Sequence, residues 1–469
     1  MFFDVADMPY ALELETAGSS HKADNNDIEI EDADPEQCLP ADSLIVTLEG
    51  LLYFHEVLQK NELATTCSSK TLSVSYQLIN RDGEGETASA ITFNGRRPLF
   101  TVKTVYGNVI AGTASHRLLI MNRAGYWVWR KIEKIEPGDY VVCHREYKVP
   151  IGQPSESTDE GLYFFGVLLA DGSFNEYRIG VTNNDPVVLS NIKAQGGLAL
   201  AVEPRIYAKA SPGSFDYHFN STANVHDFYK KMGWAPGVAK NKHLGPFVRQ
   251  LSTAQIRFVL QGYFDCECSI NPGGIQVESA SRKLLYEVKT VLQAHFGILS
   301  VLKELKVAAY PDNDYWRLDL YGASARRYVA RIGFRSDVRK NESQVLFDCK
   351  VTNANMDLIP NCGLLVEGLY DASETTKLHN FETRDYKGFE ARAALSYQSL
   401  NTILDLEWAE CGPLNRLREI RAAGYLYDRV ESVTAREPEA TFDFKVPTTH
   451  SFVVANVITH NSNAHTSDG

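Results

Sequence analysis

The 469 residues exceed one ordinary domain, and their 44% hydrophobic and 11% aromatic content is enough to bury two or three cores. No apolar run approaches about 18 residues, which excludes a membrane-spanning helix. The opening Met1-Phe2-Phe3-Asp4 lacks the basic start and apolar stretch of a secretory leader, so an intracellular protein, of cytoplasm or nucleus, is expected. The net charge of −12 argues against nucleic-acid binding only until it is divided. Residues 1–37 hold eleven acids and one lysine, whereas residues 160–345 hold 22 Lys/Arg against 17 Asp/Glu, a surplus of +5 that permits a DNA-binding face.

In chain order, residues 1–37 form an acidic, solvated segment. From Cys38 to about residue 150 come short alternating runs, among them 71–76, 99–105 and 127–129. Turn signals separate them at Asn80-Arg81-Asp82-Gly83 and Tyr106-Gly107-Asn108, so this part is predicted to be mainly β. A linker at 150–155 changes the texture. Residues 160–345 alternate helical and strand patterns in two half-sized units, each opening on an apolar helix, at 161–171 and 254–267. This is a weak internal duplication. Residues 346–423 are mixed, with a helix expected around 396–410, and β patterning returns over 424–461. The expected architecture is a mainly β domain split by an inserted α+β domain, an arrangement tolerated where the two ends of a surface loop lie close together.

The eight cysteines include no CxxC pair, and Cys266-x-Cys268 is too tight for an ordinary zinc site. Apart from Cys38 they are expected to be reduced and structural. Cys38 opens Cys38-Leu39-Pro40-Ala41-Asp42-Ser43, while His460-Asn461-Ser462 closes the last β run. A cysteine can attack the carbonyl before it, an asparagine can cyclise and cleave the bond after it, and a following hydroxyl can receive an acyl group. Together these are the parts of a self-excising machine.

The two end motifs and the block Gly112-Thr113-Ala114-Ser115-His116 resemble those of inteins, protein-splicing elements with a horseshoe-shaped, mainly β Hint domain. The resemblance covers residues 38–461 and implies flanking host pieces, or exteins, at 1–37 and 462–469. It implies that Cys38 attacks Gln37, that His116 protonates the leaving nitrogen, and that Thr113 holds that geometry. Ser462 would accept the acyl chain, Asp443 would help activate the nucleophiles, and His450 and His460 would assist Asn461. Splicing would need no cofactor. A Hedgehog-type autoprocessing domain shares the cysteine step, but has no use for a terminal Asn and a following hydroxyl.

The helices at 161–171 and 254–267 resemble LAGLIDADG motifs of homing endonucleases, which pack as a pseudo-dimer through small residues such as Gly166, Ala170 and Gly262. The resemblance implies that Asp171 and Glu267 hold Mg²⁺, with Lys242 and Lys340 as the lysine of each half and Lys240 as an alternative to Lys242. Cys268 stands where the second motif usually has glycine. The implied partner is double-stranded DNA, a long asymmetric target at the intein insertion site, bound by a monomer. An insert that only binds DNA is the alternative.

Overall fold

A computed structural model describes residues 37–60, 70–306, 314–348, 356–372 and 394–461. Residues 1–36 and 462–469, Ser462 among them, lie outside the described residues, as do Cys67 and Cys349. Two 20-residue strands, Gly85–Thr104 and Leu426–Lys445, form the spine of a 12-stranded antiparallel sheet. They do not run straight. Pro98 and Pro438 have no N–H for the ladder, and the register slips between Arg436 and Glu439 and again between Ala440 and Phe442. Such slips bend a strand pair and increase its twist.

The strand Leu426–Lys445 gathers segments distant in sequence. Its start pairs with Tyr140–Cys143, its middle with Gly85–Thr104, and Thr441 and Phe442 with Pro40 and Leu39. Residues from both ends of the described chain thus enter one sheet. The turn expected at 106–108 joins Gly85–Thr104 to Val109–Gly112. Gly107 has φ +84° there, and a Cβ on it would lie 2.4 Å from the Leu302 carbonyl oxygen. The last hairpin, Ser451–Val454 with Val457–His460, closes through Ala455 and Asn456 at φ 48° and 69°, the left-handed pair that a tight two-residue hairpin turn requires.

The duplication in the middle of the chain is plain in the topology. The first unit runs helix Asp159–Asp171, strands Gly172–Phe174 and Arg178–Asn183, helix Pro186–Leu200, strands Arg205–Ala208 and Phe215–Asn220, and helix Thr222–Met232. The second repeats that order as helix Thr253–Glu267, strands Cys268–Asn271 and Gly274–Ser279, helix Arg282–Phe296, strands Val301–Leu305 and Tyr315–Tyr321, and helix Gly322–Arg331. Each four-stranded sheet places its strands first, second, fourth, third. The opening helices pack face to face. A Cβ at Gly166 would sit 2.0 Å from the Val259 carbonyl oxygen, and one at Gly262 would sit 2.1 Å from that of Tyr163. Only glycine permits this approach.

The duplicated unit is not a loose appendage. Helix Arg282–Phe296 docks on the β sheet, where Lys289 Nζ donates to Asn108 Oδ1 at 2.7 Å and Gln293 Nε2 to the His144 carbonyl at 2.6 Å. Arg249, 1% exposed, donates to Glu56 and to the Leu51 carbonyl. Leu44, Val46, Leu51, Tyr53, Ile79 and Val453 accordingly share one core with the duplicated unit.

The helix expected around 396–410 is the shorter Tyr397–Leu404, and a second, unexpected helix, Gly412–Ala423, follows it. The first stops where Trp408 Nε1 donates to the Ile403 carbonyl at 2.8 Å, and Pro413 starts the second in the first turn, where its missing N–H costs nothing. With helix Gly363–Ala372 they cover Leu119, Met121, Val142 and Ile458 of the large sheet.

Candidate functional site

The pairing of Leu39 with Phe442 and Pro40 with Thr441 sets Cys38 across from Asp443. Both are buried. The Cys38 N–H donates to Thr113 Oγ1 at 3.0 Å, and its carbonyl accepts from the Thr113 N–H at 3.0 Å. Asn94 Nδ2 donates to Cys38 Sγ at 2.9 Å. Burial first, and then the Asp443 charge, pushes the thiol up to about 12.

Thr113 opens the turn that carries His116. Its carbonyl accepts the His116 N–H at 3.1 Å, and the Ile132 N–H donates to the His116 carbonyl at 2.8 Å. The imidazole is fully buried, and neither ring nitrogen has a hydrogen-bond partner among the described residues. Burial, reinforced by His460 nearby, holds His116 down to about 3, so it is neutral at pH 7. His460 is brought alongside because its strand pairs with Arg117–Met121 through Thr459 and Leu118. Burial first, then Arg117, lowers it to about 4. Its ring meets Trp129 edge to face at 4.8 Å and stacks on His450 at 6.3 Å between centroids.

Asn461 occupies the rung after the Ser451–His460 pair, and its N–H donates to the His450 carbonyl at 3.0 Å. His450 has φ 51°, a left-handed backbone that turns the chain back beneath Asn461. Thr113 thus binds Cys38 and heads the turn of His116, and the strand of His460, next to Asn461, pairs beside that turn, while Asp443 lies across the sheet from Cys38. Ser462 lies outside the described residues.

The second site lies where the paired helices end. Asp171 and Glu267 are the last residues of helices Asp159–Asp171 and Thr253–Glu267. Burial raises both. Glu267 reaches about 7, with the Asp171 charge as the next cause, which puts the two carboxylates in electrostatic contact. Lys242 faces both, and its Nζ donates to the carbonyls of Leu169 and Ala170 at 2.9 and 2.6 Å, the negative end of the first helix. Lys240 lies on the short turn Ala239–Asn241 just before it.

Lys340 does not join them. It lies on the short helix Asp337–Glu342, half exposed, with Nζ 2.9 Å from Asp337. Charges on Glu267 come instead from Asp171, Lys242 and Glu278.

Cys268 takes φ −78° and ψ 150° at the end of its helix, and Gly172 takes φ −69° and ψ 137° at the equivalent place. Both backbones are extended with negative φ, so this conformation does not call for glycine. Two half-buried, mutually repelling carboxylates are a donor set suited to a hard divalent cation, which would relieve the repulsion that Lys242 only partly offsets. No group of three or more His, Cys, Asp or Glu side chains suited to a metal occurs among the described residues.

Three partners were not visible in the sequence. Asn94 lies within a 20-residue strand and reaches Cys38 only through sheet register. Asn183 Nδ2 donates to Asp171 at 2.5 Å from the neighbouring strand. Asp265, on the helix of Glu267, accepts from Tyr163 at 2.7 Å and from the N–H groups of Arg335 and Ser336.

A family model of the intein splicing domain matches residues 55–461. A DNA gyrase subunit of Mycolicibacterium flavescens is 24% identical over 456 residues, which cover 91% of this chain and 76% of that protein. Replication factor C small subunit of Thermococcus kodakarensis is 24% identical over 332 residues, 68% of this chain and 36% of that protein. Replicative DNA helicase DnaB of Rhodothermus marinus is 22% identical over 456 residues, 91% of this chain and 46% of that protein. The chain thus spans about three quarters of the gyrase relative and less than half of the other two. Among solved structures, I-DmoI in complex with DNA and Mn is similar at 13% identity and a TM-score of 0.30, over 38% of this chain and 98% of that one. A DnaB intein from Synechocystis sp. PCC 6803 is similar at 18% identity and a TM-score of 0.18, over 23% and 68%. No helix among the described residues is long and apolar enough to cross a membrane.

Proposed function

The chain belongs to the intein splicing domain family, and from that premise we propose that it excises residues 38–461 and joins Gln37 to Ser462. The reading takes residues 38–150 and 424–461 as the two parts of a Hint domain, with 346–423 as its helical cover. Residues 1–37 and 462–469 are then extein segments. The observation that carries it is the bonding of Cys38 to Thr113 at the head of the His116 turn, with the strand that ends at His460 and Asn461 paired beside that turn.

In the first step the Cys38 thiol gives its proton to Asp443, across the sheet, and Sγ attacks the Gln37 carbonyl carbon. The Gln37–Cys38 C–N bond breaks as His116 protonates the leaving nitrogen. Because the His116 ring is neutral, it takes up at one nitrogen the proton shed by Cys38, by way of Asp443, as it gives one to the leaving nitrogen from the other. Thr113 holds the amide through the Cys38 N–H. The Ser462 hydroxyl then attacks the thioester, and the Cys38 thiolate leaves. Asn461 Nδ2 closes on its own carbonyl to form a succinimide, releasing the Ser462 amine, with His460 and His450 against it. An O-to-N acyl shift completes the new peptide bond.

For residues 160–345 the same reading is a site-specific double-strand endonuclease, whose DNA target is the insertion site of the intein and which works as a monomer. Asp171 and Glu267 would hold Mg²⁺, which when bound neutralises phosphate charge and lowers the pKa of a water. Lys242, anchored on the Leu169 and Ala170 carbonyls, supplies positive charge beside the two carboxylates. Arg and Lys on the two four-stranded sheets would contact phosphates. A plasmid carrying the intein-free insertion site tests this directly: linearisation with Mg²⁺ supports cleavage, and retarded mobility without cutting would mean binding alone.

A further inference from the structure

We propose that Asn94 is a catalytic residue of the amino-terminal step, its side-chain amide donating to Cys38 Sγ and stabilising the thiolate that attacks Gln37. The inference rests on the splicing reading above and adds a group that the sequence motifs do not contain. Asn94 Nδ2 lies 2.9 Å from Sγ, and Asn94 is only partly buried, whereas Cys38 is wholly buried. The backbone that carries this amide is held in place, because the Asn94 main-chain carbonyl accepts from Arg97 Nε at 3.1 Å across a turn in which Gly95 takes φ 76°. Thr441, on the facing strand, secures the same turn by donating to the Gly95 carbonyl at 3.0 Å.

Such a donor is needed here. A buried thiol opposite Asp443 is electrostatically discouraged from ionising, and only the thiolate is nucleophilic. A hydrogen bond to the charged form favours that form. The groups facing Sγ are Asp443 and the Thr441 hydroxyl on one strand and Asn94 and Arg97 on the next. Of these, Asn94 is the one whose N–H meets the sulfur directly. In the step itself the S–H proton passes to Asp443 and the Sγ–C bond to Gln37 forms. The Gln37–Cys38 C–N bond breaks, and the freed nitrogen is protonated. Asn94 supplies neither proton nor electrons. It lowers the energy of the anion.

The test uses the full chain carrying Asn461→Ala, so that release by asparagine cyclisation is closed. The rate of iodoacetamide alkylation at Cys38, read by peptide mass mapping, is followed against pH alongside dithiothreitol-induced cleavage between Gln37 and Cys38. Asn94→Ala is expected to raise the midpoint of both profiles by about one pH unit and to slow both about tenfold below it. Asn94→Asp, nearly isosteric, should raise them further, and Asn94→Gln should restore part of the loss. Unmoved midpoints in Asn94→Ala and Asn94→Asp would overturn the proposal. Thiol cleavage absent from the Asn461→Ala parent would count against the splicing reading, while the alkylation profile would still decide the role of Asn94.

Discussion

Gly166 and Gly262 each lie against the other helix's backbone, a Cβ on either falling 2.0–2.1 Å from a carbonyl oxygen across the pair. That reciprocal contact fixes the separation of the two helices, and hence of Asp171 and Glu267 at their ends. Gly262→Ala is expected to lower the unfolding midpoint by the equivalent of about 1–3 kcal/mol, the range for overpacking, since a backbone carbonyl cannot rotate away. Circular dichroism melts check this, and an unchanged midpoint would mean that the helices sit further apart.

Arg249 joins the two bodies of the molecule. It is buried against Glu56 and against Glu287, which is itself fully buried and also accepts from Tyr53. Removing the cation by Arg249→Ala leaves carboxylates unpaired, and a loss of about 3–5 kcal/mol is expected in denaturant unfolding. A loss below about 1 kcal/mol would contradict the buried pairing.

The acid side of the stability curve should report His116. Its folded pKa, about 3, lies below the ordinary 6.5, so the unfolded chain binds the extra proton between those values. Its contribution is complete above pH 6.5 and is lost as pH falls toward 3. The difference in unfolding free energy between the native chain and His116→Gln should therefore shrink on acidification, by up to about 1.4 kcal/mol per pH unit. A difference independent of pH from 7 to 4 would show that His116 titrates normally.

Much of this was legible in the sequence because the signals are local. The helices expected at 161–171 and 254–267 are Asp159–Asp171 and Thr253–Glu267, since apolar runs ending in an acid carry their own boundaries. The turns at Asn80 and Gly107 were readable from their chemistry. Asn94 was not, because its meeting with Cys38 depends on the register between strands far apart in the chain. Lys340 stands at a plausible spacing, yet it pairs with Asp337 one helical turn away, and spacing alone gives no direction for a side chain. The helix expected around 396–410 stops at Leu404, where Trp408 returns onto the Ile403 carbonyl, a contact that helical spacing does not show.

Cutting and splicing should separate by mutation. Asp171→Asn removes one of two carboxylates at the helix ends and touches nothing near Cys38, so Mg²⁺-dependent plasmid cutting is expected to fall at least about 100-fold while splicing continues unchanged. Cutting at the native rate would remove Asp171 from the chemistry.

The most direct measurement is intact-mass analysis of the freshly expressed chain beside its Asn461→Ala variant. The native chain should yield two products, a free piece of residues 38–461 and a peptide in which Gln37 is joined to Ser462, while the variant yields neither. Only the full-length mass in the native sample, persisting on incubation, or a Gln37–Ser462 peptide from the variant, would contradict the account.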